Sequence, residues 1–252
     1  MSQAEKAKQF AALHRKQAPL VLYNIWDAGG AQAVVAGGAT AVATGSWSVA
    51  GAQGYPDGEA LPLDLLLTVV ARICASVEVP VSVDFEGAYA AAPDAAAENV
   101  RRVVDAGAIG INFEDRVVQG AGLYDIDAHA ARIRAIRQMA NAAAVPLFIN
   151  ARTDLFLQSK PEAHAGHIAE ALERAAAYAE AGASGIFVPG LTDPALVAQV
   201  TEAVALPVNV LVREPHAIAA LAAQGVARVS FGPAPYRQYV ADMTRAQAAL
   251  LA

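Results

Sequence analysis

Two hydrophobic patterns alternate along this chain. Short runs rich in valine, isoleucine and leucine, entered through a proline or after a glycine, predict buried strands. Proline is tolerated at the first residue of a strand, and glycine commonly ends the helix before one. The predicted strands lie near residues 20–25, 41–45, 80–86, 109–114, 146–152, 185–189, 207–212 and 227–232.

Between these runs, apolar residues recur every three or four positions with charged residues among them, which predicts helices. They cover residues 63–77, 94–106, 127–143, 162–181, 193–204 and 215–224, and the charged segment at the N-terminus predicts one more. Asp94, Asp127 and Asp193 stand where helix N-caps are expected.

Eight apolar strands that alternate with helices predict a parallel sheet covered on its outer face. In about 250 residues, closure of that sheet gives a (β/α)8 TIM barrel. We therefore expect a single barrel domain over residues 1–252 with an N-terminal helix. The alternative is a doubly wound open sheet, which usually has a glycine-rich phosphate loop after its first strand. The segment NIWDAGG (24–30) is not such a loop.

Composition narrows the class of protein. Hydrophobic residues make up 56% of the 252 residues and charged residues 17%, which is enough apolar material for a sizeable core. No run reaches the roughly 20 apolar residues of a membrane span, and the N-terminus lacks the apolar centre of a signal peptide. A net charge of −6 argues against nucleic acid as a partner. With one cysteine, Cys74, we expect a cytoplasmic protein without a disulfide.

Polar residues concentrate where the predicted strands end, and in a barrel these ends form the catalytic rim. The residues are Asn24, Asp27, Thr44, Gly45, Ser46, Asp84, Glu86, Asn112, Glu114, Asp115, Asn150, Arg152, Asp154, Asn209 and Ser230. The strand starts are almost wholly apolar. Polarity at one rim alone indicates a functional site.

An acidic group at this rim predicts a metal site. Asp84 and Glu86 would share one face of a strand because side chains alternate, and Glu114 ends the neighbouring strand. Oxygen ligands without histidine or cysteine suit Mg²⁺, with Mn²⁺ as the alternative, and disfavour zinc. The competing interpretation is that Glu86 or Glu114 pairs with Arg152, or that some of these carboxylates face solvent.

Arg152, in FINARTD, is the candidate substrate clamp, since a guanidinium binds a carboxylate through two parallel hydrogen bonds. An acidic metal site with one arginine suits a small anionic carboxylate such as a 2-oxo acid. Backbone N–H groups of Thr44, Gly45 and Ser46 are candidate donors to an oxyanion. Asn150, on the same strand as Arg152, is a further candidate substrate contact.

Six segments together resemble the isocitrate lyase/phosphoenolpyruvate mutase superfamily. They are YNIWDA, ATGSWSVAGAQGYPDGE, VSVDFEG, AGAIGINFED, FINARTD and AGASGIFVPG, in the family's order, and the resemblance extends from about residue 10 to 240. It implies a TIM barrel, often with the last helix exchanged between subunits of a homodimer or homotetramer. It also implies Mg²⁺ and an enolpyruvate-like anion of a 2-oxo acid.

The same resemblance assigns roles to residues. Asp84 would bind the metal directly, and Glu86 and Glu114 would hold metal-bound water. Asp57, in GYPDGE, is added by the resemblance alone and would lie near that water. Together with Arg152, Glu114 and Asp57 are the candidate catalytic residues.

One segment departs from the family pattern. Family lyases carry a K-[KR]-C-G-H loop after the strand-four Glu-Asp, and phosphonate enzymes carry a related loop with lysine. Residues 114–132 here read EDRVVQGAGLYDIDAHAAR, without lysine or cysteine. Cys74 is expected in a helix core, and Tyr55, Tyr124 and His129 are weak candidates for a replacement base.

Together these features predict a Mg²⁺-dependent carbon–carbon lyase or decarboxylase of a small 2-oxo or 2-hydroxy acid. The alternatives are a phosphonopyruvate-type carbon–phosphorus enzyme and a barrel that binds a dicarboxylate without catalysis.

Overall fold

The computed structural model describes residues 1–212 and 218–251. The helices are α1 (Gln3–Ala12), α2 (Ala28–Ala36), α3 (Ser46–Ala52), α4 (Leu63–Ser76), α5 (Pro93–Asp105), α6 (Ile126–Ala142), α7 (His164–Glu180), α8 (Pro194–Ala203), α9 (Ile218–Ala223) and α10 (Ala234–Ala249). The strands are β1 (Leu20–Leu22), β2 (Val42–Ala43), β3 (Val81–Asp84), β4 (Gly110–Glu114), β5 (Phe148–Arg152), β6 (Gly185–Phe187), β7 (Val208–Leu211) and β8 (Arg228–Ser230). Residues 215–217 of the helix predicted over 215–224 lie outside the described residues.

The eight strands form one parallel sheet in the order β1-β8-β7-β6-β5-β4-β3-β2. A parallel bridge between Ile25 and Thr44 brings the two ends of the sheet together beyond β1 and β2. The sheet is thus nearly closed, and the TIM-barrel prediction is confirmed.

The apolar core fills the space between the sheet and the surrounding helices, as the predicted periodicities require. On the outer face of the sheet, three residues in register on successive strands are fully buried: Val83, Ile111 and Ile149. Helix α1 packs against the start of β5, where the rings of Phe10 and Phe148 meet edge to face at 5.4 Å. In the part of the chain that the structure describes, no helix is both long and apolar enough to cross a membrane.

Two of the three N-cap predictions are wrong. Asp193 does cap α8, since its carboxylate accepts hydrogen bonds from the Ala195 and Leu196 N–H groups. Helix α5 starts one residue earlier than expected because Pro93, whose fixed φ suits the first helical position, precedes Asp94. Helix α6 has Asp125 as its N-cap, so that Asp127 falls in the first turn.

The alternation of side chains along β3 also ends earlier than expected. The strand stops at Asp84, and Glu86 adopts a left-handed backbone conformation with φ 48°. Asp84 and Glu86 therefore do not share one strand face, and that prediction is wrong. Glu86 instead turns towards residues 57–59.

Candidate active site

A cavity of about 560 Å³ opens at the carboxyl ends of the strands. This volume is in the range of small-molecule sites. Its polar wall contains Asn24, Gly45, Ser46, Asp57, Asp84, Asn112, Arg152, Ser230, Arg237 and Gln238. Its apolar wall contains Trp47, Leu157, Phe187, Pro189, Leu211, Phe231 and Pro233. A cavity with one polar wall and one apolar wall suits a small organic anion.

Asp84 ends β3 on the cavity wall, where three neighbours hold it. The Ser46 N–H donates to its Oδ2 at 3.0 Å, and Asn112 Nδ2 donates to its Oδ1 at 3.2 Å. The Asp84 N–H donates to Thr44 Oγ1 at 2.9 Å. Each carboxylate oxygen can accept a second bond, so Asp84 is oriented and still able to bind a ligand.

Glu86 lies behind Asp57, in a nest of backbone donors. Gly58 N–H donates to Oε1 at 3.1 Å, and Glu59 N–H donates to Oε2 at 2.5 Å. Burial, together with the negative charges of Asp57, Glu114 and Asp84, raises the pKa of Glu86 to about 9. The carboxylates at this rim are therefore close enough to repel one another.

Arg152 ends β5 between two buried carboxylates. Its Nη1 lies 3.0 Å from Glu114 Oε2. Its Nε and Nη2 donate to the two Asp154 oxygens at 2.6 and 3.0 Å. Burial alone would lower the pKa of Arg152, but Glu114, Asp154 and Asp84 outweigh it and raise that pKa. The pairing of Glu114 with Arg152, given as the competing interpretation, is thus present.

Arg152 nevertheless keeps donors for a ligand. A guanidinium has five N–H groups; two of those on Arg152 donate hydrogen bonds to Asp154, and Nη1 forms an ion pair with Glu114. Each terminal nitrogen therefore keeps at least one N–H group, an arrangement that matches the two oxygens of a carboxylate. Because Arg152 lines the cavity, this fork is available to a bound anion.

The other candidate substrate residues lie in different positions. Gly45 and Ser46 line the cavity, but their N–H groups already donate to the Ile25 carbonyl and to Asp84. Thr44 and Asn150 are almost fully buried behind the wall. The Thr44 hydroxyl accepts a hydrogen bond from the Asp84 N–H, and the Asn150 side chain donates one to Asn112 Oδ1.

The donor set fits Mg²⁺ held partly through water. Among residues 1–212 and 218–251, no three His, Cys, Asp or Glu side chains lie close enough together to bind a metal ion directly. Burial nevertheless raises the pKa of Glu114 to about 8, a shift that Arg152 opposes and that Asp154 and Asp84 increase. A dication would relieve this excess of negative charge. Mg²⁺ usually keeps several waters and binds one or two carboxylates directly. Asp84 can supply the direct ligand, and the more distant carboxylates can bind the metal through its waters.

None of the three weak candidates for a base lines the cavity. His129, on α6, is fully buried, and burial and the charges of Arg132 and Arg174 lower its pKa well below the usual range. Tyr124 lies against the Arg132 guanidinium, 4.4 Å from the ring centroid. Tyr55 is exposed and lies outside the cavity.

The segment that departs from the family pattern folds back on itself. Arg116 and Leu123 form an antiparallel bridge, and the Val117 N–H donates to the Gly122 carbonyl. Gln119 Nε2 reaches the Gly58 carbonyl at 3.4 Å. The segment therefore covers the 57–59 turn, and its residues are absent from the cavity wall.

Sequence reasoning missed some cavity residues, among them Arg237, but it did list Asn24 at the end of the first strand. Arg237 projects from α10 over the Trp47 ring, with its guanidinium carbon 4.6 Å from the centroid. Asn24 Oδ1 accepts from the Phe231 and Gly232 N–H groups and so ties the ends of β1 and β8 together. Arg237 follows no strand, so the strand-end rule had no means of finding it.

Comparison with known proteins gives consistent matches. The phosphoenolpyruvate phosphomutase family model matches residues 10–251. A solved Burkholderia cenocepacia J2315 chain, named provisionally as a phosphonomutase, is 46% identical with a TM-score of 0.94, covering 97% of this chain and 98% of that one. An uncharacterized protein of Mycobacterium tuberculosis H37Rv is 38% identical over 90% of this chain and 83% of its own. The 2-methylisocitrate lyase of Escherichia coli K12 is 31% identical over 82% of this chain and 70% of its own.

Proposed function

Because this chain belongs to the isocitrate lyase/phosphoenolpyruvate mutase superfamily, whose members among its relatives are lyases and mutases, we propose a more specific activity. It is a Mg²⁺-dependent enzyme that cleaves a carbon–carbon bond of a small 2-oxo or 2-hydroxy carboxylic acid, through an enolpyruvate-like anion. The observation that carries this proposal is the free fork of Arg152 in the same cavity as Asp84.

A structural relative supports the choice of ligand. A phosphonopyruvate hydrolase with this fold, at a TM-score of 0.85 and 19% identity, was solved in complex with oxalate and Mg²⁺. Oxalate is a planar anion with two carboxylates, which the Arg152 fork and a dication at Asp84 are suited to bind together. We therefore use oxalate as the probe of this site.

The chain's own residues have distinct roles in the proposed reaction. Arg152 orients the substrate carboxylate, and Phe187, Leu211 and Phe231 shield its carbon atoms from water. Asp84 would hold Mg²⁺ directly, while Glu86, Glu114 and Asp57 would hold its water. When bound, Mg²⁺ would supply positive charge to the oxygen that becomes electron-rich as the bond breaks.

The acid–base inventory of the cavity favours decarboxylation. Of the described residues that line it, the carboxylates are Asp57 and Asp84. Asp84 is committed to the cation, so cleavage of a 2-hydroxy acid would need Asp57 as base. Loss of carbon dioxide from the C4 carboxylate of oxaloacetate, which is β to the keto group, needs no protein base at its first step: the carbon–carbon bond breaks, its electron pair passes into the enolate of pyruvate, and that enolate then takes up a proton. A carbon–phosphorus enzyme is the second candidate, favoured by the phosphonomutase name of the 46% identical relative.

Two measurements test these functions. Thermal unfolding is followed with oxalate, oxaloacetate or phosphonopyruvate, each with and without Mg²⁺, and we expect stabilisation that needs both ligand and metal. Release of pyruvate is then assayed on oxaloacetate, and formation of phosphoenolpyruvate or release of phosphate is assayed on phosphonopyruvate. Pyruvate from oxaloacetate supports the lyase. Binding without turnover of any ligand would leave a carboxylate-binding barrel in its place.

Assembly is a further part of the proposal. Helix α10 exposes the apolar side chains of Tyr239, Val240 and Met243, and Leu250 and Leu251, which directly follow the helix, are exposed as well. Exposed apolar area of this kind commonly marks an interface, and we propose a homodimer or homotetramer formed through α10. Light scattering after gel filtration measures the mass, and a mass of one chain would contradict this proposal.

A further inference from the structure

An arginine is sealed inside the barrel, beneath the cavity. Arg228 begins β8 and is 0% exposed. Its register partners on the two adjacent strands are Asn209 and Leu20. Residues paired across parallel strands face the same side of a sheet. A single row on the inner face therefore runs from Glu114 and Arg152 through Phe187 and Asn209 to Arg228.

The charge of Arg228 is hardly compensated by its surroundings. Its Nη2 donates to Asn112 Oδ1 at 3.1 Å. Its Nε and Nη1 have no hydrogen-bond partner within the described ranges, and no carboxylate there forms an ion pair with it. Burial lowers the pKa of Arg228, and Asp84 opposes that shift. A buried cation without a paired anion is costly to keep, which calls for a function that uses the charge.

Asn112 connects this charge to the candidate site. Its Oδ1 accepts from both Arg228 Nη2 and Asn150 Nδ2, the latter at 2.9 Å. Its Nδ2 donates to Asp84 Oδ1. A reversed amide would place its NH₂ group against two donors, so its orientation is fixed. Since Asn112 lines the cavity, Arg228 lies one side chain away from a bound ligand.

We propose that Arg228 is a positioning residue that acts through Asn112, whose orientation Asn150 also holds, and that its buried charge allows an acidic metal site to accept an anionic substrate. The inference rests on the proposed function, because it presumes a cation and a carboxylate in the same cavity. It predicts effects of opposite sign on the two ligands. Removal of the positive charge weakens anion binding but does not weaken cation binding. A purely structural role would weaken both.

The test uses Mn²⁺ and oxalate with the full-length protein. Calorimetry measures the Kd of Mn²⁺ alone, and then the Kd of oxalate at saturating Mn²⁺, for Arg228→Met, Arg228→Gln and Arg228→Lys. The control is Arg137→Met, which removes a part-buried arginine outside the cavity whose donors go to Gly182, Leu147 and Ser184. Circular dichroism verifies that each variant is folded. If Arg228→Met is not folded, Arg228→Gln is compared with the wild type instead.

We expect the neutral variants to bind oxalate more weakly by on the order of tenfold, which is the effect of one charge acting through a few ångströms of protein. Their Mn²⁺ affinity should be unchanged or higher, and Arg228→Lys should restore oxalate binding to within about threefold. Equal weakening of both ligands, or no change in oxalate binding, overturns the role of Arg228 alone. Wild-type protein that binds neither ligand overturns the proposed function, and this inference with it.

Discussion

Replacement of Arg152 by lysine tests whether ligand binding at the candidate site needs only the positive charge of Arg152 or also the planar geometry of its guanidinium. The side chain is only 14% exposed and makes three ionic contacts, one with Glu114 and two with Asp154. Lysine keeps the positive charge between these carboxylates. It has no planar fork, so it cannot bind Asp154 through two parallel bonds and also present two donors to a ligand.

The size of the effect follows from the bonds that are lost. A hydrogen bond to a charged partner contributes about 1.5–3 kcal/mol. Oxalate loses one of the two bonds offered by the Arg152 fork, so its Kd should rise by roughly 10- to 100-fold. The loss in unfolding free energy should be smaller, about 1–2 kcal/mol, because the charge still neutralises Glu114 and Asp154. Arg152→Met, which leaves both carboxylates without a cation, should cost about 3–5 kcal/mol.

Two assays on the same variants check this reasoning. Calorimetry of oxalate at saturating Mg²⁺ gives the Kd, and urea unfolding without ligand gives the stability. Arg137→Lys is the control, since its partners are carbonyl groups and a hydroxyl far from the cavity, and it should leave the oxalate Kd unchanged. If Arg152→Lys binds oxalate as tightly as the wild type, the fork has no part in binding and the proposed clamp is wrong.

Three further outcomes are expected. Asp84→Asn should weaken Mg²⁺ binding by at least roughly tenfold, because its NH₂ group would face the Ser46 or Asn112 donor; calorimetry that shows unchanged affinity would contradict this. Mg²⁺ binding at pH 7 should release protons, because Glu86 and Glu114 have pKa values raised to about 9 and about 8 and a cation favours their charged forms; titrations in buffers of different ionisation enthalpy count these protons, and none released would refute the acidic cluster. The contribution of His14 to the free energy of unfolding should be lost as the pH falls below about 6.5, because burial lowers its pKa to about 3, so that only the unfolded state takes up its proton; buried His129 acts in the same direction, and Glu86 and Glu114, whose pKa values are raised, act in the opposite one. His14→Gln should flatten this pH dependence in urea unfolding, and an unchanged slope would assign it to other groups.

The fold could be predicted because its signals are local. Each strand needs a short apolar run and each helix an apolar stripe, and both patterns are visible within about 15 residues. The placement of Asp84, Glu114 and Arg152 at one rim followed from the same information, since parallel strands bring their carboxyl ends together. Thus these three residues were correctly located before any contact between them was known.

Glu86 shows why the remainder could not be predicted. Its left-handed conformation is followed by two more non-glycine residues with positive φ, Ala88 at 62° and Tyr89 at 55°. The turn is held by Arg132, whose Nη2 donates to the Gly87 and Ala90 carbonyls from a helix more than 40 residues away in sequence. A window along the chain contains nothing of this contact. Side-chain alternation therefore failed at the residue where a distant partner takes over.

The inner face of the barrel departs from the hydrophobic pattern that buried strands usually show. Ser82, Asn150, Asn209 and Arg228 are all nearly inaccessible to solvent, at positions where barrels usually carry branched apolar residues. Periodicity treats such residues as interruptions of a strand. In the folded chain two of them, Asn150 and Arg228, donate hydrogen bonds to Asn112 Oδ1 and so support a residue of the cavity wall from below. The orientation of Asp84 is thus set by side chains on rigid strands, which hold a ligand-binding group more closely than loops do.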